Sequence, residues 1–178
     1  HFYQKWDTNK TINIIKEKTG RQITSWRNHM YMHGKHTDEV LKSCGINICS
    51  DGVKKSSNGP VEISNDYYHI YLNVIPDHEH LIHAERTPEW IAWWQKRYNW
   101  TDDFGPDSYY IEKWSAIFLE QLKYNEKNDI LSNVIIHPIT MYLCDKFKCA
   151  QKILDYIGSK KTCTINDIYL QNKILKKA

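Results

Sequence analysis

Apolar residues recur along the chain at two spacings, every three to four positions and every second position, and segments of the two kinds alternate. Asp7 or Thr8 is placed to cap a first helix that turns Ile12 and Ile15 inward. Gly20 stands where a left-handed residue closes it, so this helix is expected to end near Lys18. Residues 23–26 then read as a short strand, followed at once by the polar Arg27, Asn28 and His29. Thr37, with Asp38 and Glu39 in the first turn, opens a second helix through Val40 and Leu41 that Gly45 closes, and residues 46–49 give a second strand.

Residues 54–60 have loop composition. Beyond them Tyr68, Ile70, Leu72 and Val74 alternate with Tyr67, His69, Tyr71 and Asn73, which predicts a third strand ended by Pro76. Thr87 and Pro88 mark the N-cap and first position of a helix rich in Trp90, Trp93 and Trp94. From Asp107 a longer helix sets Ile111, Trp114, Phe118 and Leu122 on one stripe, expected to cover the sheet. Residues 130–136 form a β-rich run, apolar on both sides toward its end as a doubly buried strand would be, stopping at His137 and Pro138. One helix carrying Leu143, Phe147, Ala150, Ile153 and Leu154 is expected to run to Gly158. A final strand at 163–165 and a helix capped by Asn166 complete the chain. Alternation of this kind predicts an α/β fold with a mainly parallel sheet.

Composition bounds this picture. Seven Trp, twelve Tyr and four Phe among 178 residues, with 41% hydrophobic side chains, describe a chain that folds around a core, expected to be one domain over 1–178. The net charge is +3, with acidic residues scattered among basic ones, which argues against nucleic acid as the main partner. Five cysteines cannot all pair, so reduced thiols are expected, with a slight lean to a cytoplasmic location. No apolar run is long enough to span a membrane, and the residues from His1 onward do not read as a signal peptide.

In parallel α/β sheets the side chains just past the C-terminal strand ends line the site. Arg27 to His29, Asp77 to His80, and His137 hold such positions. An imidazole pinned between an apolar strand and Pro138 suits a general acid or base, and a purely structural hydrogen-bonding role is the plainer alternative. His78, Glu79, His80 and His83 would bind metal if extended, and otherwise read as a solvated loop. His29, His33 and His36 receive no firm role. Cys44 with Cys49, and Cys144 with Cys149, superficially suggest a four-thiolate zinc site. Five residues along a helix separate the second pair by about 140°, so buried single thiols are the preferred reading. Trp93 and Trp100 are candidates for sugar-stacking platforms, while Trp90 and Trp94 are assigned to the core. Asn9 and Asn99 begin short glycosylation-type patterns.

The order Thr19-Gly20-Arg21-Gln22-Ile23, then Trp26-Arg27-Asn28-His29, then the run from Thr37 to Ser50 resembles the stretch around the third motif of the polysaccharide deacetylase family. The turn at Pro76-Asp77, the run Val134-Ile135-Ile136-His137-Pro138, and Thr164 to Ile168 are similar to its closing elements. The resemblance implies an irregular (β/α) barrel that removes acetyl groups from N-acetylated sugars with a divalent metal, zinc first. It makes His137 the acid that protonates the leaving amine, Arg27 the arginine that orients the catalytic aspartate, and Asp77 the carboxylate that tunes the acid histidine. The family's Thr-Phe-Asp-Asp motif and its histidine pair are absent. Only His1 stands where a metal-ligating histidine would be, and His29 and Met30 occupy positions usually Pro and Tyr. Either the barrel's opening strands precede His1, the preferred reading because a barrel without them would expose sheet edges, or the family's metal site has been lost. Two other readings stay open: a catalytically inactive carbohydrate-binding relative, and a protein-interaction module on the same fold.

Overall fold

The computed structural model describes residues 2–31, 33–55, 57–64, 66–83 and 85–175; side chains are described up to position 171. Among the described residues there are eight α-helices and four short strands, in an α/β arrangement of two compact units. One unit takes the chain up to Gly52, Val61–Tyr71, and the segment from Thr162; the other takes Val53–Pro60 and Leu72–Lys161.

In the first unit, α1 (Phe2–Thr19), β1 (Ser25–Trp26), α2 (Thr37–Ser43), β2 (Ile48–Cys49), β3 (Val61–Ser64), β4 (Tyr67–Ile70) and α8 (Ile165–Leu175) surround one sheet of order β1-β2-β4-β3. β1 and β2 pair in parallel, Ser25 with Ile48. β2 and β4 do likewise, Ile48 with Tyr68, and β3 closes the edge antiparallel to β4. Neighbouring strand residues point to opposite faces. Cys49 and Tyr67 accordingly join Ile12, Leu41 and Ile46 in one core, and Ile48, Tyr68 and Ile70 join Tyr169 in another. With helices on both faces, the short strands can be apolar throughout.

The second unit is built on α5 (Ile111–Lys127). Its expected stripe is buried as read, with Trp114 and Phe118 fully enclosed and Ile111 and Leu122 nearly so. The stripe packs on Val74, Ile75 and Leu81 and on Met141, Cys149, Ala150 and Ile153. Those last four residues belong to α6 (Pro138–Asp145) and α7 (Lys148–Gly158). Two further helices, α3 (Asp77–His80) and α4 (Pro88–Tyr98), complete the unit, and Thr87 caps α4 through Oγ1, which accepts from the Trp90 amide at 3.2 Å.

Several expectations are corrected. The third strand ends at Ile70, after which Leu72 makes only an isolated bridge to Val53. Residues 130–136 form no ladder; the Asn73 side chain takes up the backbone there instead, Oδ1 accepting from Asn133 N at 2.8 Å and Nδ2 donating to Leu131 O at 2.9 Å. The single helix read through to Gly158 is two, because Lys146 and Phe147 both turn left-handed. No strand forms at 163–165. Thr164, rather than Asn166, starts the last helix in a reciprocal box with Asp167, whose Oδ2 accepts from Thr164 N at 2.7 Å. The strands form an open sheet, and among the described residues no barrel is closed.

Candidate active site and metal-ligating cluster

Pro76 ends the extended segment in the second unit and starts the one-turn helix α3, whose first residue, Asp77, is fully buried. His137 is the residue before α6, with Pro138 at the first helical position. One Asp77 carboxylate grips it twice: Oδ2 accepts the His137 backbone N–H at 2.8 Å, and Oδ1 accepts from ring Nδ1 at 2.8 Å. The imidazole itself is 39% exposed. The Asp77 bond raises the His137 pKa above the ordinary imidazole value despite partial burial.

His78 packs against the His137 ring, centroids 5.2 Å apart. Arg86 donates to the His78 carbonyl and, at 2.6 Å, to His78 Nε2, so that nitrogen is an acceptor and the ring is neutral. Burial, then Arg86, pushes the His78 pKa down to about 4. Glu79 is buried, and its Oε2 has no hydrogen-bond partner; burial pushes its carboxyl up to about 7. His80 is fully buried, with Nδ1 donating to Asp107 O at 2.7 Å and Nε2 to Asp102 at 2.8 Å. The helical turn thus sends the His78 and His80 imidazoles to different partners, and His83, beyond the turn, has its Nδ1 buried without one. His78, Glu79, His80 and His83 do not converge as the extended reading required. A cleft of about 470 Å³ lies beside Arg86 and His83, lined also by Thr87, Tyr110, Glu112 and Cys144.

On α4, Trp93 is 51% exposed. Trp100 is only half-buried, and Trp90, assigned to the core, is itself exposed. Only Ile91 of this helix is buried, and Trp90 and Trp94 stack on each other.

In the first unit the parallel strands bring their C-terminal ends to one edge. Arg27 is found there, but its hydrogen bonds go to Ser50, Nε to the carbonyl at 2.9 Å and a terminal nitrogen to Oγ at 2.6 Å. Next to Ser50, Asp51 accepts from Asn28 N at 2.7 Å, Asn28 Nδ2 at 2.6 Å, the Cys49 thiol at 3.1 Å and His33 Nδ1 at 3.0 Å. The thiol pKa is driven far up by burial and by Asp51, so it remains a donor. The other His33 nitrogen lies 3.1 Å from Asp38 Oδ1, and His69 Nε2 is 3.2 Å from Asp38 Oδ2. The chain approaches His33 through two left-handed non-glycine residues, Met30 and Tyr31. His33, Asp38 and His69 form one group whose ligand atoms lie close enough to hold a metal ion; His33, Cys49 and Asp51 form another.

His1, the ligand implied by resemblance, lies outside the described residues. The reading of the sequence passed over Ser50 and Asp51, although the strand-end rule that selected Arg27 and Asp77 applies to β2 equally.

A solved structure described as a "putative polysaccharide deacetylase" from Mycobacterium smegmatis is similar to this chain, with a TM-score of 0.60 and 14% identity. The likeness covers 97% of this chain and 57% of that one, so the chain spans little more than half the length of that protein. At this identity the likeness bears on the fold alone. No protein-family profile matches the chain, and no curated protein matches it in sequence. Among the described residues no helix is long and apolar enough to cross a membrane.

Proposed function

We propose that this chain is part of a metal-dependent hydrolase that removes N-acetyl groups from the sugars of a polysaccharide or its precursor. The observation that carries the reading is the double grip of Asp77 on His137. With Nδ1–H committed to Asp77, the proton the ring can give away is the one on Nε2, and its partly exposed ring can present that proton to a leaving amine. Asp77 is the positioning residue: it fixes the tautomer and favours the charged, acid form. The adjacent His78 is kept neutral by burial and Arg86 and does not compete for this role at neutral pH. Arg27 is proposed as a second positioning residue, holding the end of β2 beside Asp51. Trp93 and Trp100 are proposed to stack on sugar rings.

A divalent cation of this class, zinc first, polarises the amide carbonyl and activates water when bound. Among the described residues, no group of His, Cys, Asp or Glu that could hold such a cation includes Asp77 or His137.

The test is acetate release by the full-length protein from a panel of N-acetylhexosamine oligomers. His137→Ala is expected to lower the rate by about 10²–10⁴-fold; undiminished release would remove the acid role. A second reading, a sugar-binding relative without activity, is favoured by the exposed Trp90, Trp93 and Tyr98 on α4. It predicts oligosaccharide binding that Trp93→Ala weakens, with no acetate released by the wild type.

A further inference from the structure

The cluster on the first unit's strand edge has no part in the chemistry assigned to His137. We propose that His33, Asp38 and His69 bind one divalent transition-metal cation of the zinc class, through His33 Nε2, an Asp38 carboxylate oxygen and His69 Nε2, with water completing the shell. The inference is independent of the deacetylase reading.

The distances come first. Adjacent donors around a tetrahedral ion with bonds of about 2.0–2.1 Å are roughly 3.3 Å apart. His33 Nε2 lies 3.1 Å from Asp38 Oδ1 and His69 Nε2 lies 3.2 Å from Asp38 Oδ2, and one donor atom from each of the three residues falls within 4.8 Å of the other two. Two imidazoles aimed at one carboxylate are the arrangement that an ion between them would organise. The Asp38 Oδ1 atom is buried yet has no hydrogen-bond partner, despite its closeness to His33. Unmade polar contacts of this kind are unfavourable unless something else satisfies the atom.

The surroundings are those of a supported site. A metal-ligating histidine commonly donates its second ring N–H to a carboxylate, which fixes the tautomer and the ring plane. His33 does this through Nδ1 to Asp51, and Asp51 is itself held by both Asn28 nitrogens. His69 is held by neighbouring rings, edge-on to Tyr67 at 5.0 Å and stacked with Tyr71 at 6.0 Å. The three ligands come from a loop, from the first turn of α2 and from β4. The side chains are 29%, 40% and 17% exposed, which leaves the water position open, as in three-ligand zinc sites. Nitrogen donors with one carboxylate favour zinc over magnesium or calcium, which prefer all-oxygen shells.

The competing group, His33 with Cys49 and Asp51, uses the opposite nitrogen of the same ring. Asp51 is nearly enclosed and already accepts from four donors, including the Cys49 thiol, so an ion there would have to break an intact network.

The test is zinc and cobalt titration of the metal-stripped full-length protein, with metal content read by elemental analysis. The wild type is expected to bind one equivalent more than His33→Ala, Asp38→Asn or His69→Ala, each checked for folding by circular dichroism. Asp51→Asn is expected to weaken that equivalent by about 10–100-fold, and Cys49→Ser to leave it unchanged. Should a variant misfold, the cobalt spectrum of the wild type decides: d–d bands without a thiolate charge-transfer band support the assignment, and a thiolate band overturns it. Equal metal content in the wild type and all three ligand variants would also overturn it. None of these readouts involves acetate release, so the proposal can fail or hold whatever the outcome for His137.

Discussion

His80 and His137 are both bonded to aspartates, but burial gives the two pairs different consequences. His80 has no exposed surface, and both of its ring nitrogens face acceptors, Asp107 O and Asp102. Burial alone would discharge it, yet the bonds and charge of Asp102 prevail and its pKa is raised. A raised folded value means that its contribution to stability is complete below the ordinary imidazole pKa of about 6.5 and is lost as pH rises through the folded value. The stability difference between wild type and His80→Gln, followed by urea unfolding, should therefore shrink as pH rises above about 6.5. A difference that grows over that range would contradict a charged His80. His80→Ala should cost about 3–5 kcal/mol by leaving Asp102 buried and unpaired. Legibility at this scale was uneven. Asp77 and His137 could be singled out because each follows an extended run and stands beside a proline. His33, Asp38 and His69 could not, since nothing along the chain shows that the register of β2 and β4 brings a loop, a helix turn and a strand together.

The helix that periodicity marked most strongly is buried as read, while several element ends and breaks set by particular neighbours are not as read. The α5 stripe falls at i, i+3, i+7 and i+11, and its burial needs no further information. Trp114→Ala or Phe118→Ala should destabilise the protein by about 3–5 kcal/mol, read as a drop in thermal midpoint; a change within ±0.5 kcal/mol would deny their place in the core. The break between α6 and α7 was hidden because Lys146 and Phe147 adopt a left-handed backbone that neither residue type announces. The apolar run 130–136 looked like a strand, but Asn73 meets its backbone at Leu131 and Asn133, through its side chain and its own N–H, without a ladder. At the start of α8, Thr164→Ala removes one half of the reciprocal cap, with an expected loss of about 1 kcal/mol.

At the scale of the whole molecule, the alternation of helices and strands was sufficient to predict an α/β chain with parallel pairing, and the likeness to the mycobacterial structure runs over almost all of it. Barrel closure was not legible, because the alternation of apolar and polar residues marks strands but not how many neighbours each finds in a sheet. The residues singled out from the sequence come together where chemistry and spacing coincided, at Asp77 and His137. The most direct test of that pairing is the pH dependence of kcat/KM for acetate release by the full-length protein. An acid catalyst must be protonated, and the Asp77 bond raises the His137 pKa, so activity should fall on the alkaline side, at a pH above the ordinary imidazole range. Asp77→Asn should move that limb to lower pH as well as reduce the rate. An alkaline limb that stays in place in Asp77→Asn would contradict the account.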